Sequence, residues 1–181
     1  SRHISLTAHG VKLAQSFIVP PADRAWTAGE VVLTARRVSS PADALKVELC
    51  ADAGGVPGAV LDGGAAAAAS LPVKSAASVS LRLSRSAQLA PGARVWLVVS
   101  RTGTADSGGY FCVGLDADAG LADGALLQWT GSGWEARTPA ASLNFQVWGE
   151  QETTQQIADA VYAAGGPLMT VSVRAASGVW T

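Results

Sequence analysis

The segment SVSLRLS, Ser78–Ser84, decides the fold class of this sequence. Its apolar side chains Val79, Leu81 and Leu83 alternate with serine and arginine, so one side of the segment is apolar and the other is polar. An alternation of period two is typical of a β-strand that buries one face. The segment therefore predicts a strand whose apolar side chains face a protein core.

The same kind of pattern recurs from Val11 to Trp148, with pairs of Gly and Pro residues between the apolar runs. Within Arg94–Arg101, the run VWLVV is apolar on both faces and predicts a strand that lies centrally or under a covering loop. Many short strands separated by turns indicate a sandwich or a barrel, and we expect an all-β antiparallel sandwich. The predicted strands are Lys12–Val19, Glu30–Val38, Leu45–Ala51, Ser78–Ser84, Arg94–Arg101, Tyr110–Gly114, Ala125–Thr130, Trp134–Arg137 and Leu143–Trp148.

Turn residues predict how several of these strands connect. The sequence TGSGW, Thr130–Trp134, predicts a tight hairpin between two short strands that each carry a tryptophan. The pairs Pro57-Gly58 and Gly63-Gly64 predict further turns. The alanine run Ala65–Ala69 is short and lies between Gly and Pro residues, so we expect a loop or the end of a strand there.

The pattern changes after Trp148. The sequence TTQQIADAVYAA, Thr153–Ala164, predicts a helix capped by its first threonine and ended by glycines, and Leu168–Arg174 predicts one more strand. The chain starts without a leader sequence, and we expect it to be a part of a longer polypeptide. The predicted organisation is an N-terminal linker over residues 1–10, a β-sandwich domain over 11–149, and a helix–strand extension or the start of a further domain over 150–181.

Composition excludes several classes of protein. About half of the 181 residues are apolar and only 15% are charged, which excludes a disordered chain. The formal net charge is −1 and the basic residues are mostly scattered, so no nucleic-acid partner is expected. The longest stretch of low charge, Leu61–Val73, is interrupted by Asp62 and Pro72, and no membrane span is expected.

Five segments of the sequence resemble a jelly-roll-like module of phage tail and bacterial surface proteins. A strand pair closed by an Asp-x-Gly-Gly-x-Pro-Gly turn, followed by strands that return across two sheets, agrees with such a module. The segments are AQSFIV (Ala14–Val19), VVL (Val31–Leu33), LKVEL (Leu45–Leu49), DAGGVPG (Asp52–Gly58) and LNFQVWG (Leu143–Gly149).

The C-terminal segment, Thr154–Thr181, resembles a piece of siphovirus-type tail or baseplate proteins, with a short helix, an apolar strand and the Ser-Gly turn at Ser177. Together the two resemblances imply an accessory, noncatalytic domain of a phage tail tip or baseplate. They imply a location in the virion, and as partners other tail proteins, further copies of this chain and host-surface glycans. The function expected is virion assembly or host-surface contact.

Trp129 and Trp134 are the candidate ligand-binding residues, because an exposed pair of indoles is the usual platform on which sugar rings stack. On this hypothesis the chain is a carbohydrate-binding module. The alternative is that Trp129 and Trp134, together with Trp96 and Trp148, anchor the core of a chain that has few other large side chains. We favour core anchors, and the exposure of the hairpin tryptophans distinguishes the two hypotheses.

The acidic loop DADAGLADG begins at Asp116 and is the candidate metal site, with Asp116, Asp118 and Asp123 as ligands. Calcium prefers carboxylates on a Gly-containing loop, and Asp116 and Asp118 have the spacing of that chemistry. Against calcium, Leu127 stands where an EF-hand loop has Glu, and Asp and Gly are also the usual residues of tight loops. We therefore expect no cofactor, with Ca²⁺ at this loop as the alternative.

The remaining polar residues do not form a catalytic pattern. His3 and His9 lie in the predicted linker, and no Gly-x-Ser-x-Gly motif accompanies them. Cys50 and Cys112 suit a disulfide between sheets, but two cysteines are ordinary in a reducing compartment, and we expect free buried thiols. No catalytic residue is predicted, and the chain is not expected to be an enzyme.

Overall fold

The computed structural model describes residues 2–6, 12–103, 108–116, 124–137, 141–151 and 175–177. This part of the chain is almost entirely β-structure, with one 3₁₀ turn at Ala68–Ser70. Its strands are β1 (Arg2–Leu6), β2 (Leu13–Ile18), β3 (Trp26–Val38), β4 (Ala44–Asp52), β5 (Pro57–Ala67), β6 (Ala77–Arg82), β7 (Gln88–Leu89), β8 (Arg94–Arg101), β9 (Tyr110–Asp116), β10 (Leu126–Trp129), β11 (Trp134–Ala136), β12 (Ser142–Leu143), β13 (Phe145–Gln151) and β14 (Ala175–Ser177).

The strands form two antiparallel sheets that pack face to face. Sheet I has the order β1-β9-β3-β13-β14, with β6 and β7 also paired to β3, and β12 paired to β9. Sheet II has the order β11-β10-β2-β8-β4-β5. The chain repeatedly crosses between the sheets, so that β2 and β4 belong to sheet II whereas β3 lies in sheet I. The predicted antiparallel β-sandwich is confirmed.

Apolar side chains from both sheets fill the space between them. Val79 and Leu81 of β6 lie in this core, on the face that the period-two alternation predicts. Phe17 of sheet II meets Phe145 of sheet I with ring centroids 5.7 Å apart and the rings tilted by 57°. A tilted aromatic pair of this kind adds to the free energy gained from apolar burial. The two sheets are thus joined through a continuous core.

Strand β8 lies in the middle of sheet II, between β2 and β4, as its apolar sequence predicts. Val95, Leu97 and Val99 face the core. Trp96 points to the opposite side of the sheet and is nevertheless fully buried. The end of β4 provides part of this cover, because the Trp96 indole N–H donates a 2.7 Å hydrogen bond to Oδ1 of Asp52, the last residue of that strand.

Strand β5 corrects one expectation and confirms another. Gly63 and Gly64, predicted to form a turn, lie inside the strand and pair with Glu48 and Val47 of β4. The alanine run, expected to be a loop or a strand end, finishes β5 and enters the 3₁₀ turn. Gly64 suits a strand here because a Cβ atom at this position would lie 2.1 Å from the Arg82 carbonyl oxygen. The glycine therefore marks close contact with sheet I rather than a change of direction.

The two ends of the chain add strands to sheet I. Arg2–Leu6, within the segment expected to be a linker, pairs antiparallel with β9. Ala175–Ser177 pairs with β13. The helix predicted over Thr153–Ala164 and the strand predicted over Leu168–Arg174 lie outside the described residues, and the division of the chain into domains stays a prediction. Among the residues that the structure describes, no helix has the length and apolarity needed to span a membrane.

Candidate ligand-binding groove

Trp129 and Trp134 face each other across the β10–β11 hairpin. They are direct cross-strand partners, and their rings are in an edge-to-face arrangement with centroids 5.5 Å apart and planes at 66°. The Thr130 N–H donates a 3.0 Å hydrogen bond to the Gly133 carbonyl, and Gly131 has a φ of +97°. Glycine tolerates this backbone conformation without strain, so the predicted tight hairpin is confirmed.

The outer face of sheet II supports this pair. Trp134 packs against a small apolar cluster that covers the outer side of the sheet, formed by Ala14, Cys50, Trp96, Val98 and Leu127. Trp129 and Trp134 are each only partly buried. Trp148 is also partly buried and lies on the outer face of sheet I, since its neighbour Val147 points into the core. The expectation that four tryptophans are core anchors is confirmed for the fully buried Trp96, whereas Trp129, Trp134 and Trp148 are half-buried, with Trp134 packed against the outer cluster.

A groove of about 240 Å³ runs across the outer face of sheet II beside the tryptophans. Trp129 and Trp134 form one side, and the start of β5 forms the other, where Val60 is 57% exposed. Val98 contributes to the apolar part of the lining. We call this feature the tryptophan groove; it is lined by Lys12, Glu48, Cys50, Pro57, Gly58, Val60, Val98, Trp129 and Trp134.

Two charged side chains give the tryptophan groove its polar groups. Lys12 precedes β2 and is exposed, and its carbonyl accepts a 2.9 Å hydrogen bond from the Trp129 backbone N–H. Glu48 on β4 forms a 2.7 Å ion pair with Lys46. An ammonium group donates hydrogen bonds and a carboxylate accepts them, so the groove offers both functions beside its indoles.

Cys50 is the one thiol in the described lining of the groove. Burial raises the pKa of its thiol to about 11, with a further increase from the negative charge of Glu48 and smaller opposing effects of Lys12 and Lys46. The thiol is therefore protonated at neutral pH, whereas the thiolate is the reactive form. In this groove Cys50 serves as a small apolar side chain.

The arrangement suits a ligand that is apolar on its faces and polar at its edges. Indole rings can stack on the apolar CH groups of such a ligand, and Lys12 and Glu48 can form hydrogen bonds with its hydroxyl groups. No protein-family model and no curated protein sequence matches this chain.

Of the two predicted sites, the structure describes one completely, and it brings the residues of that site, Trp129 and Trp134, together. Asp116 is exposed at the end of β9, and Asp118 and Asp123 lie outside the described residues, so the calcium site stays a prediction. Within the described ranges, no group of three or more His, Cys, Asp or Glu side chains is arranged to hold a metal ion. His3 belongs to β1, and His9 lies outside the described residues.

The expected free thiols are confirmed. Cys50 and Cys112 are both buried and unpaired with each other. Cys112 alternates with the core residues Phe111 and Val113 on β9, so it faces the outer side of sheet I. Cys50 lies in the outer cluster of sheet II. The two thiols thus lie on opposite outer faces of the sandwich, where they cannot form a disulfide without a rearrangement of the backbone.

Lys12, Glu48 and Val60 are the groove residues that sequence reasoning missed. Each belongs to a different part of the chain. The pairing of β10 with β2, of β8 with β2 and β4, and of β4 with β5 brings them together. One signal for Val60 was present, since it is a large apolar residue just after a turn and outside any predicted strand. Nothing in the sequence around Lys12 or Glu48 distinguishes them from other charged residues on strands.

Proposed function

We propose that this chain is a noncatalytic β-sandwich domain of a phage tail tip or baseplate, and that its tryptophan groove contacts saccharides on the host surface. The observation that carries the proposal is the partly buried pair of Trp129 and Trp134 at the side of a groove that also holds Lys12 and Glu48. Of the two functions expected from the sequence, virion assembly and glycan contact, this geometry favours glycan contact.

The size of the groove favours a small recognition unit. Pockets for drug-sized ligands have volumes of roughly 300–1,000 Å³, and the tryptophan groove at about 240 Å³ lies below that range. An open groove of this size accommodates the end of a glycan chain rather than an enclosed cofactor. Its affinity for a single saccharide is expected to be weak. Copies of the domain displayed together on a virion would compensate for weak single contacts through avidity.

The virion setting rests on the sequence resemblance of Ala14–Gly64 and Thr154–Thr181 to phage tail modules. One structural feature supports assembly with neighbouring subunits. Strand β5 is the last strand of sheet II, and Val60 on it is exposed. Edge strands of a sheet have unpaired backbone groups and readily contact another chain. The groove borders this edge, so other tail proteins or further copies of the chain would lie close to a bound glycan.

A glycan array tests the proposal. The fluorescently labelled chain is applied as wild type and as Trp129→Ala and Trp134→Ala variants, with Trp26→Phe as the control. Trp26 is buried in the core beside Ala28, so its replacement tests whether loss of any indole is enough to alter binding. We expect wild type and the control to bind the same glycans and both groove variants to lose them. Equal binding by all four proteins would contradict the proposal.

A further inference from the structure

A second aromatic cleft lies on the outer face of sheet I, on the opposite side of the sandwich from the tryptophan groove. Trp148 on β13 and Arg82 on β6 are both direct cross-strand partners of Glu30 on β3. Their chain neighbours Val147, Leu81 and Val31 point into the core, so all three of these side chains face outward. The cleft has a volume of about 420 Å³. We call it the Trp148 cleft; it is lined by Gly29, Glu30, Arg82, Leu83, Arg85, Trp148, Gly149 and Glu150.

Arg85 is placed in this cleft by an unusual backbone conformation. Its φ is +65°, a region that non-glycine residues seldom adopt because it costs free energy. The carboxylate of Asp62 holds the turn on both sides of Arg85, accepting hydrogen bonds from the backbone N–H groups of Ser84 at 3.0 Å and Ser86 at 2.9 Å. The turn is therefore held in a shape that projects the Arg85 side chain.

The wall of the cleft leaves room for the Arg85 guanidinium. A Cβ atom added at Gly29 would lie 3.2 Å from Arg85 Nε, so a larger residue would require the Arg85 side chain to shift by a few tenths of an ångström. The Leu83 N–H donates a 3.0 Å hydrogen bond to the Gly29 carbonyl, which joins β3 to the end of β6 at this point. Three features together indicate a prearranged binding site: the strained backbone of Arg85, the turn that Asp62 holds by hydrogen bonds, and Gly29 opposite the guanidinium.

The charged side chains that the structure describes in the cleft are two arginines and two glutamates. Arg85 Nη2 lies 3.1 Å from Glu150 Oε1. Glu30 accepts a hydrogen bond from Ser80 Oγ. Arg82 is exposed and, among the described residues, makes no ion pair. With two guanidinium groups and two carboxylates, the lining that the structure describes has no net charge. Exposed ion pairs stabilise a fold very little, so stability alone does not account for this cluster.

We propose that the Trp148 cleft is a second binding site and that it takes an uncharged saccharide. Trp148 provides a ring surface for stacking, and the carboxylates of Glu30 and Glu150 accept hydrogen bonds from hydroxyl groups. Arg82 and Arg85 donate hydrogen bonds to hydroxyl and ring oxygens. The balanced charge disfavours an acidic ligand, and the charged lining disfavours an apolar one. This site does not depend on the tryptophan groove, because it lies on the other sheet.

Isothermal titration calorimetry on the 181-residue chain tests this proposal. The probes are maltohexaose, cellohexaose, xylohexaose and mannohexaose, with polygalacturonate oligomers as acidic counterparts. The background is a Trp129→Ala/Trp134→Ala double variant, which removes the tryptophan groove. Arg82→Ala and Trp148→Phe are added to that background, with Arg94→Ala as the matched control, because Arg94 is an exposed arginine on β8 outside the cleft.

We expect the double variant to keep binding to at least one uncharged probe. Arg82→Ala and Trp148→Phe should each weaken that binding about tenfold, while Arg94→Ala leaves it unchanged. Arg82 is exposed, so its replacement leaves the fold intact and the test stays decisive even if Trp148→Phe unfolds the chain. The proposal is wrong if no uncharged probe binds, if only the acidic oligomers bind, or if Arg82→Ala has no effect. Because the background lacks both groove indoles, these outcomes do not depend on whether the tryptophan groove binds saccharides.

Discussion

The carboxylate of Asp62 on β5 accepts a 2.6 Å hydrogen bond from Ser84 Oγ, which follows β6. This contact joins the edge strand of sheet II to the β6–β7 connection of sheet I. Asp62 is 4% exposed and also accepts hydrogen bonds from the backbone N–H groups of Gly63, Ser84 and Ser86. Burial raises the pKa of Asp62, but these hydrogen bonds outweigh burial and lower the pKa to about 2.

The first prediction concerns stability against pH. Because the pKa of Asp62 is lower in the folded chain than in the unfolded chain, its ionised form stabilises the fold above about pH 4, and this contribution is lost as the pH falls toward 2. Asp62→Asn should lower the free energy of unfolding by about 2 kcal/mol at pH 7, with a smaller difference from wild type near pH 3. Urea unfolding at both pH values measures this.

The matched control for this prediction is Asp23→Asn, since Asp23 is exposed. Its variant should unfold like wild type at both pH values. A difference between wild type and Asp62→Asn that stays the same from pH 7 to pH 3 would contradict the role of the ionised carboxylate.

The second prediction concerns the close contact between the sheets at Gly64. A Cβ atom there would lie 2.1 Å from the Arg82 carbonyl oxygen, which is backbone and cannot rotate away. Gly64→Ala should therefore destabilise the fold by about 1–3 kcal/mol. Gly133→Ala is the control, because a Cβ atom at Gly133 has no neighbour within 4 Å among the described residues. Thermal unfolding of the two variants compares them, and equal melting temperatures would show that β5 and β6 are further apart than described.

The third prediction concerns the thiols. Cys50 and Cys112 are buried on opposite outer faces, and burial raises the pKa of each. Ellman's reagent should react slowly with the folded chain and should titrate both thiols after unfolding in guanidinium chloride. Retention of one disulfide, seen as no free thiol under denaturing, non-reducing conditions, would contradict the placement of the cysteines.

Period-two patterns predicted the strands because each strand has one face in the core. Ser78–Ser84 and Arg94–Arg101 have apolar residues at the positions that the sandwich buries, so their local pattern and their burial agree. Strand β5 was missed because its sequence is rich in Gly and Ala, which favour strands weakly. Pairing with β4 along nearly its whole length forms this strand, and such pairing leaves no local sequence pattern.

The sequence alone predicted only the part of the candidate site that lies within one hairpin, the pair Trp129 and Trp134. The hairpin spacing placed Trp129 opposite Trp134, because a tight turn fixes which residues pair. The order of the strands in sheet II places Lys12, Glu48 and Val60 in the groove. The sequence did not determine that order. The partial burial of the tryptophans also depends on strand order, because the cluster beneath Trp134 comes from several strands of sheet II.

The fourth prediction uses two exposed valines. Val60 lines the tryptophan groove and is 57% exposed, whereas Val73 lies outside the groove and is 45% exposed. Val60→Ser should weaken binding of an array-selected glycan several-fold, because it removes apolar contact area from the side opposite the indoles. Val73→Ser should leave binding unchanged. Both variants should keep the melting temperature of wild type, and equal affinities would place the glycan away from Val60.

Acrylamide quenching of tryptophan fluorescence is the most direct test of the central claim, that saccharides bind over Trp129 and Trp134. The contribution of each indole to the quenching is the difference in quenching between wild type and the Trp129→Phe or Trp134→Phe variant. It is measured with and without the glycan that binds best on the array. We predict that both indoles are partly accessible to acrylamide in the free chain and that the glycan shields at least one of them. If the glycan binds and the quenching of both indoles is unchanged, the groove is not its binding site and the proposed function is wrong.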